Sequence, residues 1–354
     1  MLKNAVILTA GLLLDIHAKT AHGLIRGSDR FRIVGVIDDA NAGKDAGELV
    51  DGIHRNIPVY TSIGQFRTES IRSADFCILG VATKGGVIPE EFRLVIREAI
   101  QAGMGIINGL HQLVSDDPEF SKLARSNKVE LIDVRKPKKA TELKFWTGEI
   151  QNVKAAKIPV LGTDCAMGKR TTAMFLRNMM REKGFNAHMI YTGQTGWMLG
   201  NKYGFIFDST PNDFVSGELE DSILKCYKNE NPDVIFYEGQ SGLRNPSGPC
   251  GSEFIISGKA DAVILVHNPV RLKFKGMESY VDDMPDPKAE IELIKMLGAP
   301  TIALALNTRG IPLEEAKKWQ EKYEDELKIP VALPIEEGVE GLFEVVRKEI
   351  LKYK

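Results

Sequence analysis

The sequence predicts an α/β protein of two domains, each built on a parallel sheet. Short β-rich apolar runs alternate with amphipathic helical stretches along the whole chain, a pattern typical of parallel βαβ units. A glycine-rich loop containing a Gly-Lys pair lies between a strand and a helix in the second half. The length of 354 residues is comfortable for two domains that each bury their own core.

The first half, residues 1–150, is predicted to fold as a Rossmann-like domain. An amphipathic helix is expected over Glu90–Ala102, where Gly103 ends it. Strands are expected at Asn4–Ala10, Phe31–Ile37, Asp75–Val81, Gly105–Ile107 and Val129–Ile132. Ala10–Leu14 reads AGLLL instead of the G-x-G-x-x-G fingerprint, so a backbone approach to pyrophosphate is not favoured. We therefore expect a structural or substrate-capping role here in preference to NAD binding.

The composition changes at Arg135–Lys139, which is basic, contains proline and has few apolar residues. This composition favours a solvated linker over a basic loop that faces phosphate. The second half, residues 151–354, is predicted to be a P-loop NTPase-like domain on a doubly wound parallel sheet. Such sheets bind ligands at the carboxyl ends of their strands. Its strands are expected at Ile158–Leu161, His188–Tyr191, Val234–Tyr237, Ala262–Val266, Thr301–Leu306 and Val331–Leu333. Its helices are expected near Lys169–Lys183, Gly217–Lys228, Pro287–Leu297, Leu313–Glu326 and Val339–Leu351.

The strongest signal is the loop that follows the strand ending at Leu161. Glycine at 162 and 168 allows backbone angles that other residues avoid, so the amides can turn inward as an anion nest at a helix N-terminus. Lys169 adds a full positive charge. We predict that this loop binds the phosphates of a nucleotide or a nucleotide-bearing cofactor. The predicted ligand-binding residues are Gly162, Thr163, Asp164, Cys165, Ala166, Met167, Gly168, Lys169, Arg170, Thr171 and Thr172.

The loop departs from the standard G-x-x-x-x-G-K-[ST] motif. Five residues separate Gly162 from Gly168, and Arg170 stands where a Ser or Thr would coordinate Mg²⁺. This change favours a polyphosphate bound without metal, although Thr171 could take over the metal role.

Three further strand ends carry candidate site residues. Glu238 ends a buried strand, where a carboxylate can face phosphates or their metal. Thr192 and Gln194 follow the strand before it and are candidate substrate-binding residues. Asn307 ends another strand and is a candidate for reading a purine edge, with a simple turn residue as the alternative. If Mg²⁺ is used, Thr171 and Glu238 are its predicted ligands.

The loop after Glu238 is long and rich in Gly and Pro, which is typical of functional loops. Arg244 is a candidate for a bidentate grip on a substrate carboxylate, and Arg271 is a second one. Ser241 and Ser247 are candidate hydrogen-bond donors to the substrate. His267 is interpreted as a locally hydrogen-bonded residue in preference to a base.

The segments Gly162–Thr172 and Glu238–Gly242 resemble the dethiobiotin synthetase-like branch of P-loop proteins, whose loop reads G-T-D-x-x-x-G-K-T. That branch also has a strand ending in Glu-Gly-x-Gly, from which Ser241 departs by one position. The resemblance covers about residues 157–340. It implies ATP and Mg²⁺ used to activate a small carboxylate.

A closer resemblance covers the whole chain. The Rossmann-like half, the Gly162–Thr172 loop and the Glu238–Pro249 stretch are similar to the D-glutamate N-acetyltransferase-like family. That resemblance implies acetyl transfer from acetyl-CoA to the amine of a small acidic amino acid. For such a reaction Asp164 or Glu238 is the candidate base, Arg244 is a candidate catalytic residue, and loop amides are candidate oxyanion donors.

Composition restricts the remaining classes of function. The net charge of −2 gives no basic field for nucleic acid, and no apolar run is long enough to span a membrane. Four scattered cysteines suit a reducing cytoplasm, and we expect a homo-oligomer. Three functions stay open: an acetyl-CoA-dependent acyltransferase, an ATP/Mg²⁺-dependent ligase or kinase of a small carboxylate, and a non-catalytic nucleotide-binding protein.

Overall fold

The computed structural model describes residues 2–354, without the side chain of Lys84. It confirms the α/β class, since two parallel sheets alternate with helices along the chain. The chain divides into two compact units. Of the described residues, the N-terminal unit comprises those up to Pro137 together with 194–201, and the C-terminal unit comprises 138–193 with 202–354. Among the described residues, no helix combines the length and apolar character needed to cross a membrane.

The N-terminal unit has a parallel sheet of six strands in the order β3-β2-β1-β4-β5-β6. These are β1 (Lys3–Leu8), β2 (Phe31–Ile37), β3 (Val59–Tyr60), β4 (Phe76–Leu79), β5 (Gly105–Asn108) and β6 (Leu131–Asp133). The helices of the first 137 residues are α1 (Lys19–Arg26), α2 (Ala46–Asp51), α3 (Ile63–Glu69), α4 (Glu90–Gln101) and α5 (Pro118–Asn127). The short helix α7 (Gln194–Met198) is grouped with this unit although it lies later in the sequence.

The C-terminal unit has a seven-stranded parallel sheet in the order β13-β12-β11-β7-β10-β8-β9. Its strands are β7 (Ala156–Gly162), β8 (Ala187–Tyr191), β9 (Tyr203–Gly204), β10 (Val234–Glu238), β11 (Val263–His267), β12 (Thr301–Leu306) and β13 (Val331–Ala332). Its helices are α6 (Lys169–Glu182), α8 (Asn212–Glu230), α9 (Ser252–Ile255), α10 (Pro287–Met296), α11 (Leu313–Leu327) and α12 (Phe343–Leu351).

The C-terminal sheet is buried on both faces, as the apolar strands require. Because successive side chains of a strand point to opposite faces, Ile235 and Tyr237 of β10 pack in one apolar cluster, and Val234 and Phe236 pack in the other. Every residue of β7 is buried, and β7 lies between β10 and β11. The loop that leaves β7 therefore starts at the centre of the sheet's carboxyl edge.

The segment after Pro137 lies along α8 and is held by two buried carboxylates. Glu218 accepts hydrogen bonds from the Lys138 ammonium (2.5 Å) and the Lys144 amide (3.0 Å). Glu220 accepts from the amides of Thr147 (2.5 Å) and Ile150 (3.1 Å). These hydrogen bonds hold residues 138–150 against α8, although the composition of Arg135–Lys139 predicts a solvated linker there.

Candidate phosphate-binding site

The loop between β7 and α6 is curled and strongly turned. Ala166 and Gly168 have left-handed backbone angles, with φ of 56° and 103°. Gly162, contrary to the expectation from the sequence, does not have a left-handed φ. A Cβ there would lie 3.1 Å from the Lys169 side chain and 3.2 Å from the Val266 carbonyl oxygen, so glycine at this position avoids two tight contacts. The loop thus folds back over the end of its own strand and leads directly into the helix.

The backbone amides of residues 165–169 remain available to a ligand. Thr163 donates its amide to the Val266 carbonyl, and Thr172 donates to Gly168 in the first turn of α6. Between them, no acceptor among residues 2–354 takes a hydrogen bond from the amides of Cys165 to Lys169. An unpaired row of amides at a helix N-terminus is the geometry that binds anions.

Lys169 adds a buried positive charge without a carboxylate partner. Its side chain is 6% exposed, and its ammonium donates to the carbonyl oxygens of Asp164 and Ser241, each at 2.6 Å. No ion pair joins Lys169 to a carboxylate in the part of the chain that is described. Burial lowers the pKa of Lys169, because it disfavours the charged ammonium. A bound anion would act in the opposite direction and stabilise the charged form.

Asp164 lies in the same loop but points into a set of internal donors. Its Oδ1 accepts from the Asn245 amide group (2.5 Å), and its Oδ2 accepts from Arg271 Nη2 (2.5 Å) and the Lys275 backbone amide (2.7 Å). The carboxylate is fully buried. It therefore joins the P-loop to the loops that follow β10 and β11, and its charge is matched by the Arg271 guanidinium.

Glu238 lies at the carboxyl end of β10 beside the end of β8. Its Oε2 accepts from the Thr192 amide (3.2 Å), and its backbone carbonyl accepts from the Thr192 hydroxyl (2.5 Å). Gln240 donates to the same hydroxyl (2.9 Å). The structure thus brings Thr192 and Glu238 together, whereas Gln194, expected beside Thr192, begins α7 in the other compact unit.

The predicted substrate-binding residues have internal partners here. Arg244 Nε donates to Glu290 (2.8 Å), whose burial raises its pKa, and Arg271 holds Asp164. Ser247 donates both its amide and its hydroxyl to Asn245. Ser241 contacts the P-loop directly, since its hydroxyl accepts from Cys165 Sγ at 3.7 Å. Substrate binding by these side chains stays a prediction.

Residues at two further strand ends, Asn307 and His267, contact the P-loop. Asn307 donates its amide group to the Met167 carbonyl oxygen (2.8 Å), so in this structure it braces the loop. His267 Nδ1 lies 3.0 Å from the Thr163 hydroxyl, and the ring is buried against Tyr323. Burial lowers the pKa of His267 to about 4, so the ring is neutral at pH 7.

A magnesium ion would have few protein ligands at this site. Within residues 2–354 no group of three or more His, Cys, Asp or Glu side chains is arranged to hold a metal ion. Glu238 is the carboxylate at the strand end, and Thr171, a half-buried residue on the first turn of α6, offers a hydroxyl. Mg²⁺ bound to phosphates commonly uses one or two protein ligands plus water, so these two residues suit the ion only together with a phosphate ligand.

Sequence reasoning missed the residues that hold the site together, among them Asn245, Gln240, Lys275 and Glu290. Asn245 lies next to Arg244 in a loop whose length and composition predict a functional role, and Gln240 belongs to the Glu-Gly-x-Ser-Gly segment. An Asn followed by Pro in a glycine-rich loop is a signal for a fixed turn, and it could have been used to find Asn245.

Comparison with known proteins agrees with both halves of this fold. Residues 39–137 match the DUF1611 N-terminal domain, described as Rossmann-like, and residues 144–343 match the DUF1611 C-terminal domain, described as a P-loop domain. Both are catalogued as domains of unknown function.

Relatives at low identity cover most of the chain. A protein named D-glutamate N-acetyltransferase from a Pseudoalteromonas species is 28% identical over 75% of this chain and 79% of its own length. One of the same name from Tritonibacter scottomollicae is 26% identical over 76% of this chain and 80% of its own.

A solved structure has the same fold over nearly the full length. The crystal structure of a DUF1611 family protein from Anabaena variabilis superposes with a TM-score of 0.88 at 26% identity, covering 98% of this chain and 99% of that one. These matches confirm the resemblance to the D-glutamate N-acetyltransferase-like family that was inferred from the sequence. The chain belongs to the DUF1611 family, with a Rossmann-like N-terminal domain and a P-loop C-terminal domain.

Proposed function

We propose that this protein is an N-acetyltransferase that holds acetyl-CoA through its phosphates and acetylates the amine of D-glutamate or a related acidic amino acid. The observation that carries the proposal is the row of unpaired amides at 165–169 beside the buried Lys169 ammonium. The names of the two relatives supply the reaction class.

The loop suits the pyrophosphate or the 3′-phosphate of coenzyme A. Neutral amides and one ammonium stabilise a phosphate without requiring a metal ion. Arg170 replaces the hydroxyl that would normally hold Mg²⁺, which favours a ligand that does not arrive with one. ATP with Mg²⁺ is the competing ligand, and Thr171 and Glu238 would then hold the ion.

The transfer requires that the substrate amine lose a proton and attack the thioester carbonyl carbon. A new C–N bond forms, the C–S bond breaks, and coenzyme A leaves as a thiol once the sulfur takes up a proton. Glu238 is our candidate for the base, because it lies at the carboxyl end of β10, where parallel sheets place ligands. Asp164 is the weaker candidate, because both of its oxygens already accept internal hydrogen bonds.

An assay of thiol release from acetyl-CoA tests the proposal directly. With D-glutamate, L-glutamate, D-aspartate and a neutral amino acid as acceptors, we expect release that depends on an acidic acceptor and is unaffected by EDTA. Glu238→Gln should lower kcat by about 10²–10⁴-fold while coenzyme A affinity is retained. No release with any acceptor would refute the proposal, and acceptor-stimulated ADP formation that EDTA abolishes would establish the ligase alternative.

A further inference from the structure

Arg271 is a partly buried guanidinium that touches the P-loop and still has unused donors. Its Nη2 donates to Asp164 and to the Cys165 carbonyl oxygen (2.9 Å). Its Nε is buried and has no hydrogen-bond partner within residues 2–354. A buried donor without a partner is unfavourable, and a bound ligand can supply the missing acceptor. The side chain is 25% exposed, so it can be reached from solvent.

Asp164 would repel a phosphate if its charge were not compensated. The carboxylate belongs to the loop whose amides are open, and it is completely buried. Arg271, Asn245 and the Lys275 amide supply three donors to it, so the pair of Asp164 and Arg271 is close to neutral. The pairing also fixes the direction of the guanidinium, whose five donors have a rigid planar geometry.

We propose that Arg271 binds a phosphate oxygen of the ligand held by the P-loop, and that Asp164 is the positioning residue that orients it. This rests on the proposed function for the identity of the ligand, but it concerns phosphate recognition alone. It assigns Arg271 to the cofactor and not to the substrate carboxylate. It also gives Asp164 a role other than that of a base.

The two possible roles of Arg271, binding phosphate or binding the substrate carboxylate, predict opposite kinetic signatures. If Arg271 binds phosphate, Arg271→Lys should weaken binding of coenzyme A and of inorganic pyrophosphate by about tenfold, because Lys lacks the planar fork. The KM for the amino acid should be unchanged. If Arg271 instead grips the substrate carboxylate, that KM rises and coenzyme A affinity is unchanged, which would overturn the proposal.

Asp164→Asn gives a test whose sign is decisive. Loss of the orienting charge should weaken pyrophosphate and coenzyme A binding about three- to tenfold, even though a negative charge has been removed. Tighter binding would show that Asp164 acts only as a repelling charge. Lower kcat with unchanged affinity would show that it is a base. Either result overturns the positioning role.

Isothermal titration calorimetry with coenzyme A, ATP and pyrophosphate measures these affinities without any turnover. Arg347→Lys is the matched control, since Arg347 forms an exposed ion pair with Glu344 on α12, and its affinities should equal those of the wild type. Melting temperatures of all variants verify folding. If ATP binds and coenzyme A does not, the proposed function fails, while the ATP and pyrophosphate affinities of the Arg271 and Asp164 variants still decide this inference.

Discussion

Single residues set the charge of the candidate site. The Lys169 ammonium donates to carbonyl oxygens, whereas Arg271 and Asp164 largely cancel one another. The loop therefore presents the Lys169 charge, which has no carboxylate partner among the described residues, beside a row of amides. That combination favours an anion with several oxygens, since each oxygen can accept from a different donor.

His267 makes the stability of the P-loop domain sensitive to acid. Its pKa is lowered by burial to about 4, against about 6.5 in an unfolded chain. Between these values only the unfolded chain is protonated at this residue. The free energy of unfolding should therefore fall by about 3 kcal/mol as the pH drops from 6.5 to 4.

Urea unfolding of wild type and His267→Asn at pH 7.0 and pH 4.5 checks this. Carboxylates titrate in both proteins, so the difference between the two isolates the histidine. The free energy of unfolding of wild type should exceed that of the variant by a smaller amount at pH 4.5 than at pH 7.0. An equal difference in the free energy of unfolding at both pH values would mean that His267 is not held neutral.

The types of residue at the site could be predicted from the sequence, but their partners could not. Strand-end positions and glycine spacing indicate Asp164, Glu238, Arg271 and Asn307. Asp164 contacts residues 81 and 107 positions away, and no local pattern encodes which of several loops will meet. For this reason the sequence predicts ligand contacts for Arg271 and Asn307, while the structure shows them holding the loop.

At the scale of elements, helix α8 and the segment that follows Pro137 depend on a glycine. A Cβ at Gly217 would lie 2.0 Å from the Lys144 carbonyl oxygen. Alanine normally stabilises a helix interior relative to glycine by about 0.5–1 kcal/mol. Here Gly217→Ala should instead destabilise by about 1–3 kcal/mol, because the segment must move away from Glu218 and Glu220.

Gly341→Ala is the matched control for that substitution. A Cβ at Gly341 would meet no atom within 4 Å, so its effect should be neutral or slightly stabilising. Chemical denaturation of both variants gives the comparison. Equal stability of Gly217→Ala and wild type would show that the segment does not pack closely on α8.

The long buried strands were easier to predict than the shorter elements, since the two-residue strands β3 and β9 and several helices were not expected from the sequence. The buried strands β7, β10, β11 and β12 lie where apolar runs placed them, because a fully buried strand has few alternatives. Helix α8 begins at Asn212 and not at Gly217, since a glycine can occupy a helix interior when another backbone approaches closely. Helix α5 was not predicted, although Asp117 caps it and Pro118 opens it.

At the scale of the whole molecule, the chain combines a Rossmann-like unit with a P-loop unit. The first unit has AGLLL where a dinucleotide fingerprint would lie, and the second has the open loop. Family membership fixes this architecture, and it agrees with the two-domain fold expected from the alternating strands and helices.

Calorimetric titration of coenzyme A into wild type and Lys169→Ala is the most direct test that the loop from Gly162 to Thr172 binds phosphate. We predict saturable binding by wild type and at least about tenfold weaker binding by the variant, since about 1.4 kcal/mol corresponds to tenfold. Pyrophosphate should likewise bind wild type more tightly than Lys169→Ala. Equal affinities of a correctly folded variant and wild type would contradict the role of the loop.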